Sequence, residues 1–196
     1  GIGDGYKFKT IEVGGKLYNE FLIVENGKEY PIEKYFGYGV NNILPLILDL
    51  SFNYKNMILL IEEPEANLHP GLQSILADFF VEASSKLKLQ FIIETHSEYI
   101  IRRMQYLMAT NFYKDEEYLI ENKIPNVKPE NANIYYFNDP KMISRTEENK
   151  EQYDLFAYEI GFEQDGTLTR DFGSGFFDEA DNLSIALYNL NKHSKN

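Results

Sequence analysis

"MILLIEEPEANLHP", residues 57–70, is the stretch on which the reading of this chain turns. Residues 57–61 are apolar without a break, and glutamates follow at Glu62, Glu63 and Glu65. A short continuous apolar run is the pattern of a strand buried on both faces of a parallel sheet. Pro70 lacks a backbone N–H and carries a helical φ, so it suits the first turn of a helix. That helix is expected to reach about residue 84, with Leu72, Ile75, Leu76, Phe79 and Phe80 at helical spacing. "LQFIIET", 89–95, reads as a second buried strand and "HSEYIIRRMQYLMA", 96–109, as a second helix. Strand, helix, strand, helix is the repeating unit of an α/β sheet. In such sheets ligands gather at the carboxyl ends of the strands. There this chain places Glu62-Glu63 on one strand and Thr95-His96-Ser97 on the next. Taken alone, the two glutamates read equally well as a solvated strand end.

Working outward, residues 6–34 read as a β meander, with Gly14-Gly15 and Asn26-Gly27 as hairpin turns. "GYGVNNILPLILDLSF", 37–52, is a Gly-rich turn that opens an apolar helix, with Asn41 or Asn42 as N-cap and Pro45 in the first turn. Residues 111–131 are polar, hold Pro125 and Pro129, and read as a loop or small insertion. Beyond them come "NIYYFN", an Asp165-Gly166 hairpin turn, and a last amphipathic helix over 178–190. The expected organisation is a meander over 1–36, a core lobe over 37–110, and a loop with a small α+β segment over 111–196.

The bulk composition narrows the function. The 196 residues suffice for one domain or two small ones, and a 43 % hydrophobic content marks a folded chain. A net charge of −12 argues against a general nucleic-acid coat, because phosphate binding needs clustered Lys and Arg. Arg102 and Arg103 are adjacent and read as a solvated helix face. The 15 Tyr and 14 Phe fall in apolar stripes, which suits a core rather than a base-stacking groove. There is no Cys, so disulfides and thiolate metal sites are excluded. No apolar run approaches the roughly 18 residues of a membrane span and no signal peptide is recognised, so a cytoplasmic, membrane-free protein is expected.

An apolar strand ending in two acids resembles the Walker B motif of P-loop ATPases. More narrowly, "LLIEEPEANLHP" is similar to ABC-type ATPases of the RecF and OLD (overcoming lysogenisation defect) group within the AAA family. The resemblance implies an α/β, P-loop NTPase-like fold of mostly parallel core strands that binds ATP and Mg²⁺. It implies that Glu62 helps hold the metal and that Glu63 activates the attacking water. "PEANLHP" matches the D-loop, so Asn67, Leu68 and His69 would lie across a dimer interface. "ETHS" matches the switch histidine, His96. "GYGVNNILPLI" resembles the signature motif, so Gly37, Gly39, Asn41 and Asn42 would meet the γ-phosphate held by the other protomer. Such ATPases serve DNA repair or anti-phage defence. The implied partners are a second copy in a head-to-head dimer or larger oligomer, a nuclease subunit, and DNA. "DGTLTRDFGSGFFDE" also looks like a C-terminal segment of a subset of these ATPases.

The physical chemistry agrees with that reading. Mg²⁺ prefers oxygen ligands. Phosphoryl transfer needs a metal, an oriented water and compensation of phosphate charge. A carboxylate beside the metal can accept a proton from that water.

Three departures qualify the resemblance. The Walker A motif is absent: "GIGDG" has no Lys-Ser or Lys-Thr after it, and "GGKLY" sits at a hairpin. The chain also opens on Gly1. It is therefore expected to be the C-terminal half of an ATPase whose P-loop lies upstream or on another chain, and to be inactive alone. Asn41 and Asn42 stand where the family usually has Ser and Gln, although an Asn amide still donates to a phosphate oxygen. Glu62 stands where many P-loop enzymes have Asp. The alternative function is a non-catalytic interaction or scaffold module that keeps the fold. A nuclease role for the chain itself is disfavoured, because OLD nucleases carry a DxD motif that the sequence lacks.

Overall fold

The computed structural model describes residues 5–31, 38–51, 55–137, 156–172, 176–178 and 182–188. The chain divides into two compact units, Gly1–Ser97 and Glu98–Asn196. The first unit opens with the expected meander: β1 (Gly5–Val13), β2 (Lys16–Glu25) and β3 (Lys28–Pro31), antiparallel in that order. Val13 pairs with Lys16 and Glu25 with Lys28, so each connection is a two-residue loop. Both central residues have positive φ, 60° and 77° at Gly14-Gly15 and 51° and 74° at Asn26-Gly27. That is the type I′ turn, whose twist matches the strands it joins.

Helix α1 (Tyr38–Ser51) follows. It begins earlier than the sequence suggests, so Asn41 and Asn42 lie within its opening turns rather than at the cap, and Pro45 is inside the helix. Proline has no N–H for the carbonyl four residues back, so the helix lacks that bond to Asn41. Strand β4 (Ile58–Glu62), helix α2 (Pro70–Leu87) and strand β5 (Gln90–Glu94) form the expected βαβ unit, with β4 and β5 parallel and Leu60 opposite Ile92. His69 caps α2, its Nδ1 accepting from the Gly71 N–H at 3.2 Å. Lys88, at φ 54°, ends the helix and lets the chain turn into β5.

The core of this α/β part joins α1, α2 and both strands: Leu50, Ala83 and Leu89, with Leu46, Leu59, Phe79, Leu87 and Phe91 packed around them. Phe80 and Phe91 stack with ring centroids 5.1 Å apart. The expectation that β4 is buried on both faces is corrected. Exposure alternates along both strands, and Ile58, Leu60 and Ile92 are exposed, Leu60 at 76 %. Side chains alternate across a strand, and the two helices cover one face. Leu72 and Ile75 on α2, expected on the packed stripe, are likewise exposed.

The second unit holds α3 (Glu98–Tyr113), α4 (Glu116–Glu121), a 3-10 turn (Pro129–Asn131) and an antiparallel pair, β6 (Ile134–Phe137) with β7 (Ala157–Ile160). The segment 111–131 is thus not a plain loop. Asp115 accepts from the Tyr118 N–H at 2.9 Å and caps α4. The turn at Asp165-Gly166 forms as expected, with Glu163 N–H donating to the Thr167 carbonyl at 2.8 Å. Residues 182–188 are helical. Leu107, Met108, Tyr158, Ile160 and Phe162 are buried here. Arg102 is exposed, as expected of a solvated helix face, and also lies 4.4 Å above the Phe177 ring in a cation–π contact. Among the described residues, no helix is long and apolar enough to cross a membrane.

Candidate functional site

The carboxyl ends of β4 and β5 carry the polar chemistry. Their register sets Glu62 directly opposite Glu94. One residue on, the Glu63 N–H donates to the Glu94 carbonyl at 2.9 Å, and the chain then leaves the strand with Glu63 at φ 43°. A carboxylate residue in the left-handed region costs about 1 kcal/mol. The surrounding bonds hold it there: Ala66 N–H donates to the Glu63 carbonyl and Leu68 N–H to the Glu65 carbonyl, each at 2.9 Å. On the neighbouring strand end, His96 Nε2 stands 3.9 Å from Glu63 Oε1, close but longer than a hydrogen bond. Both side chains face solvent. An open cleft of about 660 Å³ lies here, lined by Glu62, Glu63 and Glu94 with Ile43 and Leu46 of α1.

The sequence-derived candidates are distributed around this rim. Glu63 and His96 approach each other at the strand ends, and Glu62 precedes Glu63 opposite Glu94. Gly39 is buried in the first turn of α1, against the loop that follows β4. A Cβ there would sit 2.3 Å from the Asn67 carbonyl oxygen. Glycine is needed at this position for close approach, whatever ligand the site takes. Asn41 is half-buried on the same helix, Asn42 is in its backbone, and Gly37 lies outside the described residues. Asn67 is exposed at φ 63°. Leu68 is buried at 7 % exposure, and His69 is engaged in capping α2, so each also has a structural task.

The reading from sequence singles out neither Glu94, Glu65 nor Gln73. Glu94 could have been found by pairing the two strand-end acids in register. Glu65 from the loop and Gln73 from α2 bond across to the residues after β5, and no sequence spacing announces that.

Acids and a histidine thus meet at adjoining parallel strand ends of a mixed α/β unit. Residues 3–101 of the 196 match the AAA ATPase domain family, and the chain belongs to that family. It is also similar to endonuclease GajA of Bacillus cereus (strain HuB5-5), 31 % identical over a 100-residue alignment that covers 42 % of this chain. The match spans 14 % of that endonuclease's own length.

An ATPase domain implies a nucleotide, typically with Mg²⁺. Oxygen donors of the kind a hard cation takes are present on the cleft lining, at Glu62, Glu63 and Glu94. They do not form a full protein cage: among the described residues no group of three or more His, Asp or Glu side chains is placed to hold a metal ion. The described cleft lining contains no basic side chain to balance phosphate charge.

Proposed function

We propose that this chain is the acid- and histidine-bearing part of an ATP-binding, ATP-hydrolysing ABC-type ATPase. The observation that carries the reading is Glu63 standing 3.9 Å from His96 at two adjoining parallel strand ends, with Glu62 and Glu63 both on the lining of an open cleft. Glu62 would hold Mg²⁺, whose chemistry there is to draw charge from the phosphates. Glu63 would accept the proton of the attacking water. His96 would hydrogen-bond the terminal phosphate. Residues 37–42 and 67–69 would serve as signature motif and D-loop, facing a second copy in a head-to-head dimer. The segment organisation 1–36, 37–110 and 111–196 belongs to the same proposal.

A P-loop portion, upstream or on another chain, would supply the phosphate cradle. The exposed apolar face of Ile58, Leu60 and Ile92 supports this, because parallel strands are normally covered on both faces. The likeness to a named endonuclease supports a role in anti-phage defence or DNA repair beside a nuclease activity.

The test is Glu63→Gln in the protein complete with its P-loop. We expect ATP turnover to fall by about 10²–10⁴-fold, the usual worth of a general base, with an ATP-bound dimer accumulating. Undiminished turnover would remove Glu63 from the role. ATP binding without turnover in the unmutated protein would instead support a non-catalytic interaction module.

A further inference from the structure

We infer that Glu65 is a positioning residue for His96, and that with Gln73 it ties the 63–69 loop to the segment after β5 so that the two move together. The inference rests on the ATPase reading for its consequence, but its geometry stands on its own. Glu65 is buried at 7 % exposure. Its Oε1 accepts the main-chain N–H of His96 at 2.7 Å, while Oε2 is buried with no hydrogen-bond partner among the described residues. Burying a carboxyl oxygen without a hydrogen-bond partner is costly, so stability alone does not account for Glu65 at this position.

A second bridge runs in parallel. The Ser97 hydroxyl donates to Gln73 Oε1 at 2.6 Å, and Gln73 Nε2 donates to the Leu68 carbonyl at 2.9 Å. Gln73, on α2, therefore holds the loop with one end of its amide and the strand exit with the other. Thr95 Oγ1 accepts the Ser97 N–H at 3.0 Å and tightens that exit into a turn. His96 sits between these anchors with its main chain held by Glu65 and its imidazole 3.9 Å from Glu63. The direction in which the imidazole points is thus set from the opposite loop. A displacement of His96 by an arriving phosphate would pull on Glu65 and reach Leu68 and Asn67 directly.

Two measurements test this, one independent of catalysis. In this chain, amide hydrogen exchange is followed by NMR for Glu65→Leu and Glu65→Gln. Loss of one native hydrogen bond should speed exchange at His96 about tenfold in the Leu variant, leaving Val24 and Phe80 unchanged. The Gln variant keeps a carbonyl acceptor and should stay within about twofold of the parent. Unchanged exchange at His96 in the Leu variant, or equal acceleration at all amides in both variants, would overturn the brace.

In the complete protein, Glu65→Leu should lower kcat about tenfold at constant KM, with Glu65→Gln restoring it. If turnover responds to Glu63→Gln but not to Glu65→Leu, the positioning role is wrong even where the bond exists. If the unmutated protein has no turnover, the ATPase reading fails, and the exchange experiment alone decides the brace.

Discussion

Backbone with positive φ occurs both in the turns of the meander, at Asn26 and Gly27, and in the 63–69 loop, at Glu63 and Asn67. In the meander the residues are those that adopt it at little cost, and nothing lies within 4 Å of where a Cβ on Gly27 would be. The hairpin turn is closed by its own sequence. In the loop, Glu63 is a residue that avoids this region, and its conformation is imposed by bonds to Glu94, to Ala66 and within the 65–68 turn. One bend is local chemistry, and the other is held by the rest of the fold around a charged rim. Backbone conformations that residues avoid concentrate at functional sites, and this one is found at the rim proposed as the candidate site.

The sharpest way to break the contrast is Gly39→Ala. The new methyl would meet the Asn67 carbonyl at 2.3 Å, so either α1 or the loop must shift. Overpacking of this kind costs about 1–3 kcal/mol, even after the gain of alanine over glycine within a helix. The urea midpoint should fall by about 1 M. An unchanged midpoint would mean that α1 does not press on the loop.

Gly27→Ala is next in size. It meets no neighbour and strains only φ, so it should cost about 1 kcal/mol and leave the 63–69 loop untouched. Amide exchange is the measurement that separates the two: the glycine in the turn should loosen only β2 and β3, and the one in the helix should loosen the rim. A response of the rim amides to Gly27→Ala would show that the meander turn is not autonomous.

The same division explains what could be read without coordinates. The meander, its two turns, the βαβ order and the strand-end position of Glu62, Glu63 and His96 follow from local signals: turn dipeptides, apolar runs, a proline at a helix start. What stayed hidden depends on contacts distant in sequence. Nothing near Tyr38 indicates that α1 starts there, because its start is tied to Gly39 lying against Asn67. The apolar run 57–61 signals a strand covered on both faces, yet Leu60 is exposed. Glu65 reads as one more acid in an acidic stretch, yet it is buried and bonded to His96. Composition also conceals that Arg102 stacks on Phe177, since that pairing spans most of the second unit.

The smallest predicted effect is the most direct probe of the imposed bend. Glu63→Gly removes the side chain from a position with φ 43° and so relieves the left-handed penalty. Glycine has more chain entropy to lose on folding, which returns part of the gain. The balance should be a stabilisation of a few tenths to about 1 kcal/mol, visible as a higher urea midpoint. Most point substitutions lose stability, so a gain here would show that Glu63 stands against the preference of the backbone. If Glu63→Gly is instead destabilising, the carboxylate itself is holding the loop. The rim would then be built more like the meander turns, from its own residues, and Glu63 would be needed for structure before any chemistry.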